Sequence, residues 1–254
     1  MKIQFASDLH LENLSNYSLM LESPMAVVGD ILVLAGDIFV IGRQVPGLSV
    51  FWDWCSENFA HTFIVPGNHE FYDGYDIDET LCGWEMELRH NVRCVCNRSA
   101  VLDDVELFFT TLWADVPESA EAMVNKYMAE CQTGCYKKQP FRAEHYSRVH
   151  KACRKWLDGA LSSSQAARKV VVTHHCPVQA EDPRYESNGL STAFVNAMEG
   201  YVESSGVDAW VFGHTHYNGA RGNVLGKTVL CTNQLGYADK GVCAGFENDC
   251  VIEI

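Results

Sequence analysis

The stretch Ile31-Leu32-Val33-Leu34-Ala35-Gly36-Asp37 decides the fold. It is a short apolar run of buried-strand length, closed by a glycine and a carboxylate. Four other places repeat that design. Ile3–Ala6 is followed by Asp8-Leu9-His10, and Thr62–Val65 by Gly67-Asn68-His69-Glu70. Lys169–Thr173 leads into His174, and Ala209–Phe212 into Gly213-His214-Thr215-His216. Runs that are apolar throughout suit strands covered on both faces. Open α/β sheets gather their ligand sites at the carboxyl ends of such strands. Asp, Asn and His side chains are thus expected to converge as in a metal-dependent hydrolase.

The residue types fit that chemistry. Asp8 and His10 are two apart, a spacing that sends both side chains the same way at a strand end. His214 and His216 repeat it. Asp37 follows a glycine, which lets backbones pack closely at a turn, and its two oxygens can bridge two cations. Asn68 offers an amide oxygen and His174 an imidazole. Seven such groups exceed the needs of one tetrahedral ion. They suit two divalent ions sharing a carboxylate, ~3.5–4 Å apart. Four imidazoles favour Mn, Fe, Zn or Ni over Mg.

The ordered set from Asp8 to His216 resembles the calcineurin-like metallophosphoesterases. The resemblance implies a four-layer αββα sandwich with a dinuclear metal site at the strand carboxyl ends. It implies phosphoester hydrolysis by attack of a metal-bound hydroxide. It assigns one metal to Asp8, His10, Asp37 and His216, and the other to Asp37, Asn68, His174 and His214. It makes His69 a non-ligand that protonates the leaving group or steadies the transition state. The second motif departs from the Gly-Asp-x-x-Asp-Arg-Gly of protein phosphatases, reading Gly36-Asp37-Ile38-Phe39-Val40-Ile41-Gly42. The carboxylate that would orient His69 and the phosphate-gripping arginine are both missing. That argues against a phosphoprotein phosphatase of this type and leaves the partner of His69 open. Arg43, displaced by two residues, is a candidate substitute for the arginine.

The bulk properties bound the reading. The 254 residues fit one large domain, 1–254. No run approaches the ~20 apolar residues of a membrane helix. Eleven scattered cysteines read as reduced thiols, and the start lacks an apolar leader, so a cytoplasmic protein is expected. The net charge of −14 disfavours a nucleic-acid polymer as partner, since such affinity rests on Lys and Arg. A small phosphorylated substrate, a nucleotide among the options, is the expectation. The alternatives are a nuclease of the same fold and a catalytically silent metal-binding scaffold.

Further strands are expected at Val92–Cys96, Ala100–Leu102 and Val105–Thr111, and hairpins at 219–232, turning near Gly226, and 245–254, turning at Asn248-Asp249. Helices are expected at 48–60, 77–90, 144–161 and 191–205. Residues 113–146 lack clean periodicity and read as an insertion above the metal edge. Near its end, Lys137, Lys138 and Arg142 interleave with Tyr136, Phe141 and Tyr146. They could clamp a phosphate and stack a base; a solvated face is the plainer reading. Glu70 is read as a partner to a ligand or to His69, or else as a cap. His175 is read as structural, pointing to the strand face opposite His174.

Overall fold

The structure, a computed structural model, describes residues 1–43, 48–180, 182–183 and 188–254. Two six-stranded sheets form its centre. The first holds β1 (Lys2–Ala6), β2 (Ile31–Leu34), β3 (Thr62–Ile64), β4 (Trp84–Arg89), β5 (Val92–Cys96) and β14 (Val251–Glu253), in the order β14-β1-β2-β3-β5-β4. The second holds β6 (Arg98–Leu102), β7 (Val105–Thr110), β10 (Arg168–Thr173), β11 (Ala209–Phe212), β12 (Val224–Leu225) and β13 (Thr228–Thr232), in the order β12-β13-β11-β10-β7-β6. In each sheet four central strands run parallel and both edges are antiparallel.

Strand alternation explains the layering. Ile31 and Val33 face the other sheet, where they join Ile3, Phe5, Leu107, Val170 and Val211 in one core. Leu32 and Leu34 face outward, against helices α1 (Leu14–Glu22) and α2 (Leu48–Asn58) through Met20, Phe51 and Trp52. On the far side Phe108, Val171 and Trp210 pack on α5 (Ala143–Ser163) and α6 (Glu199–Ser204) through Leu157 and Val202. Helix, sheet, sheet and helix make the four layers that the family resemblance implied. Among the described residues no helix is long and apolar enough to cross a membrane.

Three expected elements differ. The helix expected at 77–90 is a short turn, Ile77–Thr80, followed by strand β4. Trp84 and Leu88 are four apart, a spacing that helical and strand periods share. Gly83, at φ 81°, breaks the chain between the two. Trp84, Met86 and Leu88 then line one face of the sheet. The 191–205 helix shrinks to a turn at Ser191–Ala193 and α6, because the chain between them bridges Cys176 to Val195. The 245–254 hairpin is instead one strand, β14, laid on the open edge of β1. The 219–232 hairpin is present as β12 and β13.

Residues 113–142 carry α3 (Glu118–Tyr127), α4 (Glu130–Thr133) and a two-stranded ribbon of β8 (Cys135–Tyr136) and β9 (Gln139–Pro140). This stretch packs Trp113, Val124, Cys131, Tyr136 and Phe141 into a core shared with Tyr146 of α5, Phe71 and Ile77.

Candidate metal centre

The five motifs meet at the carboxyl ends of β1, β2, β3, β10 and β11. Strand alternation does not aim them. Asp8 and His10 lie beyond the end of β1, and His214 and His216 beyond β11. Asp8, His10, Asp37, His214 and His216 all sit at φ between 46° and 75°. Five of the seven predicted ligands thus occupy the left-handed region, which is costly for residues with a Cβ and concentrates at functional sites. A left-handed residue after a strand turns the chain back, so each side chain points across the sheet edge.

Small residues and one buried carboxylate hold these turns. A Cβ on Gly36 would lie 2.3 Å from His174, one on Gly67 2.2 Å from Asp37, and one on Gly213 2.6 Å from Asp8. Glu70 is buried and stitches two loops together. One oxygen accepts from the N–H groups of Ile38 and Phe39 at 2.7 and 3.2 Å, the other from Asp37 and Gly67 at 3.0 and 2.6 Å. Burial pushes its carboxyl up to about 7, with Asp37 adding to that. Four N–H donors on two oxygens nevertheless leave no acceptor for a proton, and they fit the carboxylate. Gln234, also buried, accepts from the His216 N–H at 2.5 Å and fixes the last motif.

Within this frame the side chains converge. Asp8, His10 and His216 bring ligand atoms within 4.8 Å of one another, as do Asp37, His174 and His214. Asn68 Oδ1 lies 3.1 Å from His174 Nε2 and joins the second group. Asp37 also forms a third such group with His10 and His69, so it lies between the other two. Asp8 Oδ1 is 3.3 Å from His216 Nε2, and Asp37 Oδ1 is 3.3 Å from His174 Nε2.

The hydrogen bonds decide what this arrangement fits. His174 donates from Nδ1 to the Ala35 carbonyl at 2.8 Å, and His214 donates from Nε2 to the Ala193 carbonyl at 3.2 Å. Their remaining nitrogens, Nε2 and Nδ1, carry lone pairs and face each other at 3.1 Å. His10 donates from Nδ1 to Glu12 at 3.2 Å, and its Nε2 faces His216 Nε2 at 3.1 Å. The His174 and His214 lone pairs so placed repel unless a proton or a cation sits between them, and the His10–His216 pair needs a proton on the His216 nitrogen or a cation. Burial opposes a proton on His174, but Asp37 overrides it and raises this histidine to about 9. Burial and the neighbouring His174 push His214 down to about 3. The pair therefore holds one proton at most, and the donor set fits divalent cations.

His69 is built differently. Its Nδ1 donates to Glu12 Oε1 at 2.8 Å, while Nε2 lies 3.8 Å from Asp37 and 3.4 Å from the Tyr237 hydroxyl. Burial lowers its proton affinity, but Asp37 and the Glu12 hydrogen bond outweigh that and raise it to about 9. Glu12 is the partner that the sequence left open. It stands two residues after His10, so a third alternate position in Asp8-Leu9-His10-Leu11-Glu12 was the available signal. Its Oε1 serves His10 and His69 together.

The remaining predicted residues lie elsewhere. Arg43 is half-exposed and pairs with Asp73 at 3.5 Å. Lys138 pairs with Glu79 at 2.8 Å and Lys137 with Asp78 at 3.8 Å, while the N–H groups of both donate to Asp76. Arg142 donates to the Cys131 and Phe141 carbonyls. Tyr136, Phe141 and Tyr146 are buried, so these aromatics form neither the solvated face nor the shelf for a base that the sequence allowed; they are core. His175 does not simply point away from the site. Its ring packs 4.1 Å from that of His214 and 5.1 Å from that of Trp113, and neither nitrogen has a hydrogen-bond partner among the described residues.

Residues 1–218 match the family model of the calcineurin-like phosphoesterases. An uncharacterized protein of Acanthamoeba polyphaga mimivirus, L509, is 24% identical over 267 residues, covering 93% of this chain and 91% of its own length. The crystal structure of phosphopantetheinyl hydrolase from Mycobacterium tuberculosis superposes with a TM-score of 0.67 at 16% identity, covering 94% of this chain and 90% of that one.

Proposed function

This chain belongs to the calcineurin-like phosphoesterase family, and from that premise we propose that it hydrolyses a small phosphorylated molecule using two divalent cations, both of which Asp37 would help to hold. The observation that carries this reading is the convergence of two pairs of imidazole nitrogens at 3.1 Å, His10 with His216 and His174 with His214, with Asp37 grouped with members of both. Asp8, His10, Asp37 and His216 would hold one cation, and Asp37, Asn68, His174 and His214 the other. Cations bound there would supply hydroxide at neutral pH and polarise a phosphoryl group.

The chain's own residues do the rest. Glu12 holds the His69 ring by its Nδ1–H, leaving Nε2 as the atom that carries the mobile proton. That proton passes to the leaving oxygen as the phosphoester bond breaks. Glu12 and Asp37 keep it in place at neutral pH by raising the proton affinity of the ring. Tyr237 stacks on His10 at 4.4 Å and brings its hydroxyl to His69, walling the site on that side. We assign Lys137, Lys138 and Arg142 to anchoring their own segment, because their polar atoms are already engaged. A cytoplasmic setting belongs to the same reading, supported by a chain that keeps eight of eleven cysteines buried as thiols.

Metal content by elemental analysis, with turnover on a phosphoester panel, tests the proposal. The panel should hold mononucleotides, cyclic nucleotides, a phosphopantetheinyl ester and bis(nitrophenyl) phosphate. Two cations per chain and Mn²⁺-dependent turnover are expected. A chain that binds cations and turns over none of these esters would sink the catalytic part.

A further inference from the structure

Residues 113–142 supply no predicted metal ligand, yet they bury a carboxylate. Glu130, at the start of α4, is 1% exposed. Its side-chain partners among the described residues are two tyrosine hydroxyls. Tyr146 donates to Oε1, and Tyr72 donates to Oε2 at 3.4 Å. The Tyr72 oxygen in turn accepts from Asn68 Nδ2 at 3.1 Å. A buried carboxylate is costly, and packing alone would be served by an apolar side chain of its size.

We propose that Glu130 and Tyr72 are positioning residues that lock the Asn68 amide with its oxygen toward the cation. The inference rests on the metal reading above. An amide binds a cation through oxygen and not through nitrogen, and its two ends are nearly the same size. Sterics therefore do not choose between them; hydrogen bonding does. A carboxylate only accepts, so the Tyr72 hydroxyl must spend its single hydrogen on Glu130. The phenol oxygen is then left as an acceptor, and the end of Asn68 that meets it must be Nδ2. Oδ1 is thereby turned toward His174, 3.1 Å away. The direction of donation runs from Asn68 through Tyr72 to Glu130, and reversing any link presents the wrong end. Burial raises the Glu130 carboxyl on balance, with the Tyr146 hydroxyl opposing that, and it is the two hydroxyl donors, one on each oxygen, that fit the anion.

Titration calorimetry with Mn²⁺ on chelator-stripped protein tests the proposal. Wild type should show two binding events. Tyr72→Phe keeps the ring that lies 4.3 Å from His69 and removes one oxygen. It should weaken one event ~10–100-fold, the usual cost of losing a group that orients a ligand, and spare the other. Glu130→Gln should do the same, because its amide end cannot accept from both hydroxyls. If that variant fails to fold, Tyr72→Phe carries the test. The decisive arm is Asn68→Asp, which presents oxygen at both ends. In that background Tyr72→Phe should change Mn²⁺ affinity less than threefold. Equal weakening in both backgrounds would assign Tyr72 a plain structural role and overturn the proposal, as would unchanged affinity in the wild-type background. If wild-type protein binds no Mn²⁺, the metal reading fails first and this inference falls with it.

Discussion

The strand-end loops and the 113–142 segment border the same edge of the molecule on opposite terms. The loops are short, polar and strained. They place five ligand-type residues at positive φ and depend on Glu70, Gln234 and bare glycines to stay there. The segment is longer, left-handed at Trp113, Lys137 and Lys138, and held by apolar packing of Trp113 and Phe141 with Tyr146 of α5. Its Lys137 and Lys138 side chains lie outside, paired with Asp76, Asp78 and Glu79. What the difference teaches is that chemistry here is concentrated where backbone geometry, not packing, aims the side chains. The segment reaches that chemistry through a hydrogen-bonded thread from Glu130 to Asn68 and through the Trp113 ring packed on His175.

The comparison can be broken from the loop side first. Asp37→Asn should cost more activity than any other single change, beyond 100-fold, because it touches both cation groups. Elemental analysis after gel filtration should find metal lost as well; full occupancy of two cations in the variant would remove Asp37 from its bridging place. His69→Ala should keep its metals and lose ~10²–10⁴-fold in turnover, the usual contribution of general acid catalysis. That loss should shrink for nitrophenyl esters, whose leaving group needs no proton. A loss of the same size for good and poor leaving groups would point to charge stabilisation in place of proton donation.

Glu12→Gln sharpens the same side. A milder loss is expected, ~10–100-fold, together with a displaced pH profile. The His69 proton affinity is raised above that of a free histidine, so its proton is fully held below ~6.5 and lost as pH rises through about 9. Cations near Asp37 will draw that upper limit down. Removing the Glu12 charge lowers it further, so the alkaline limb of kcat/KM should move to lower pH for esters with poor leaving groups. An unmoved limb would mean that Glu12 does not hold the proton.

From the segment side the smallest effect is expected. Lys137→Ala and Lys138→Ala remove exposed ion pairs, which contribute little to stability. Together they should leave KM for any nucleotide substrate within twofold and lower the melting temperature by a few degrees at most. A tenfold rise in KM with kcat intact would return these lysines to the substrate.

The sequence by itself determined the five strand ends, the seven ligand types and the pairing of apolar runs with polar ends. Those features are local: a buried strand must be apolar, and the residue that leaves it is exposed to whatever the edge binds. The same local signal gave the β6–β7 and β12–β13 hairpins. It misread Trp84 to Leu88, where a spacing of four fits either period and pairing with β5 settled the matter. It could not show that Asp8 and His10 are aimed by left-handed backbone, because strain is tolerated only when the surrounding structure insists on it. It could not join Glu12 to His69, 57 residues away, or Glu130 to Tyr72, 58 away. Nor could it tell that Phe141 and Tyr146 are core, since aromatic rings suit a binding shelf and a buried cluster equally. Only the tertiary structure decided these, because hydrogen bonds between distant loops exist once the two sheets have fixed where their strands end.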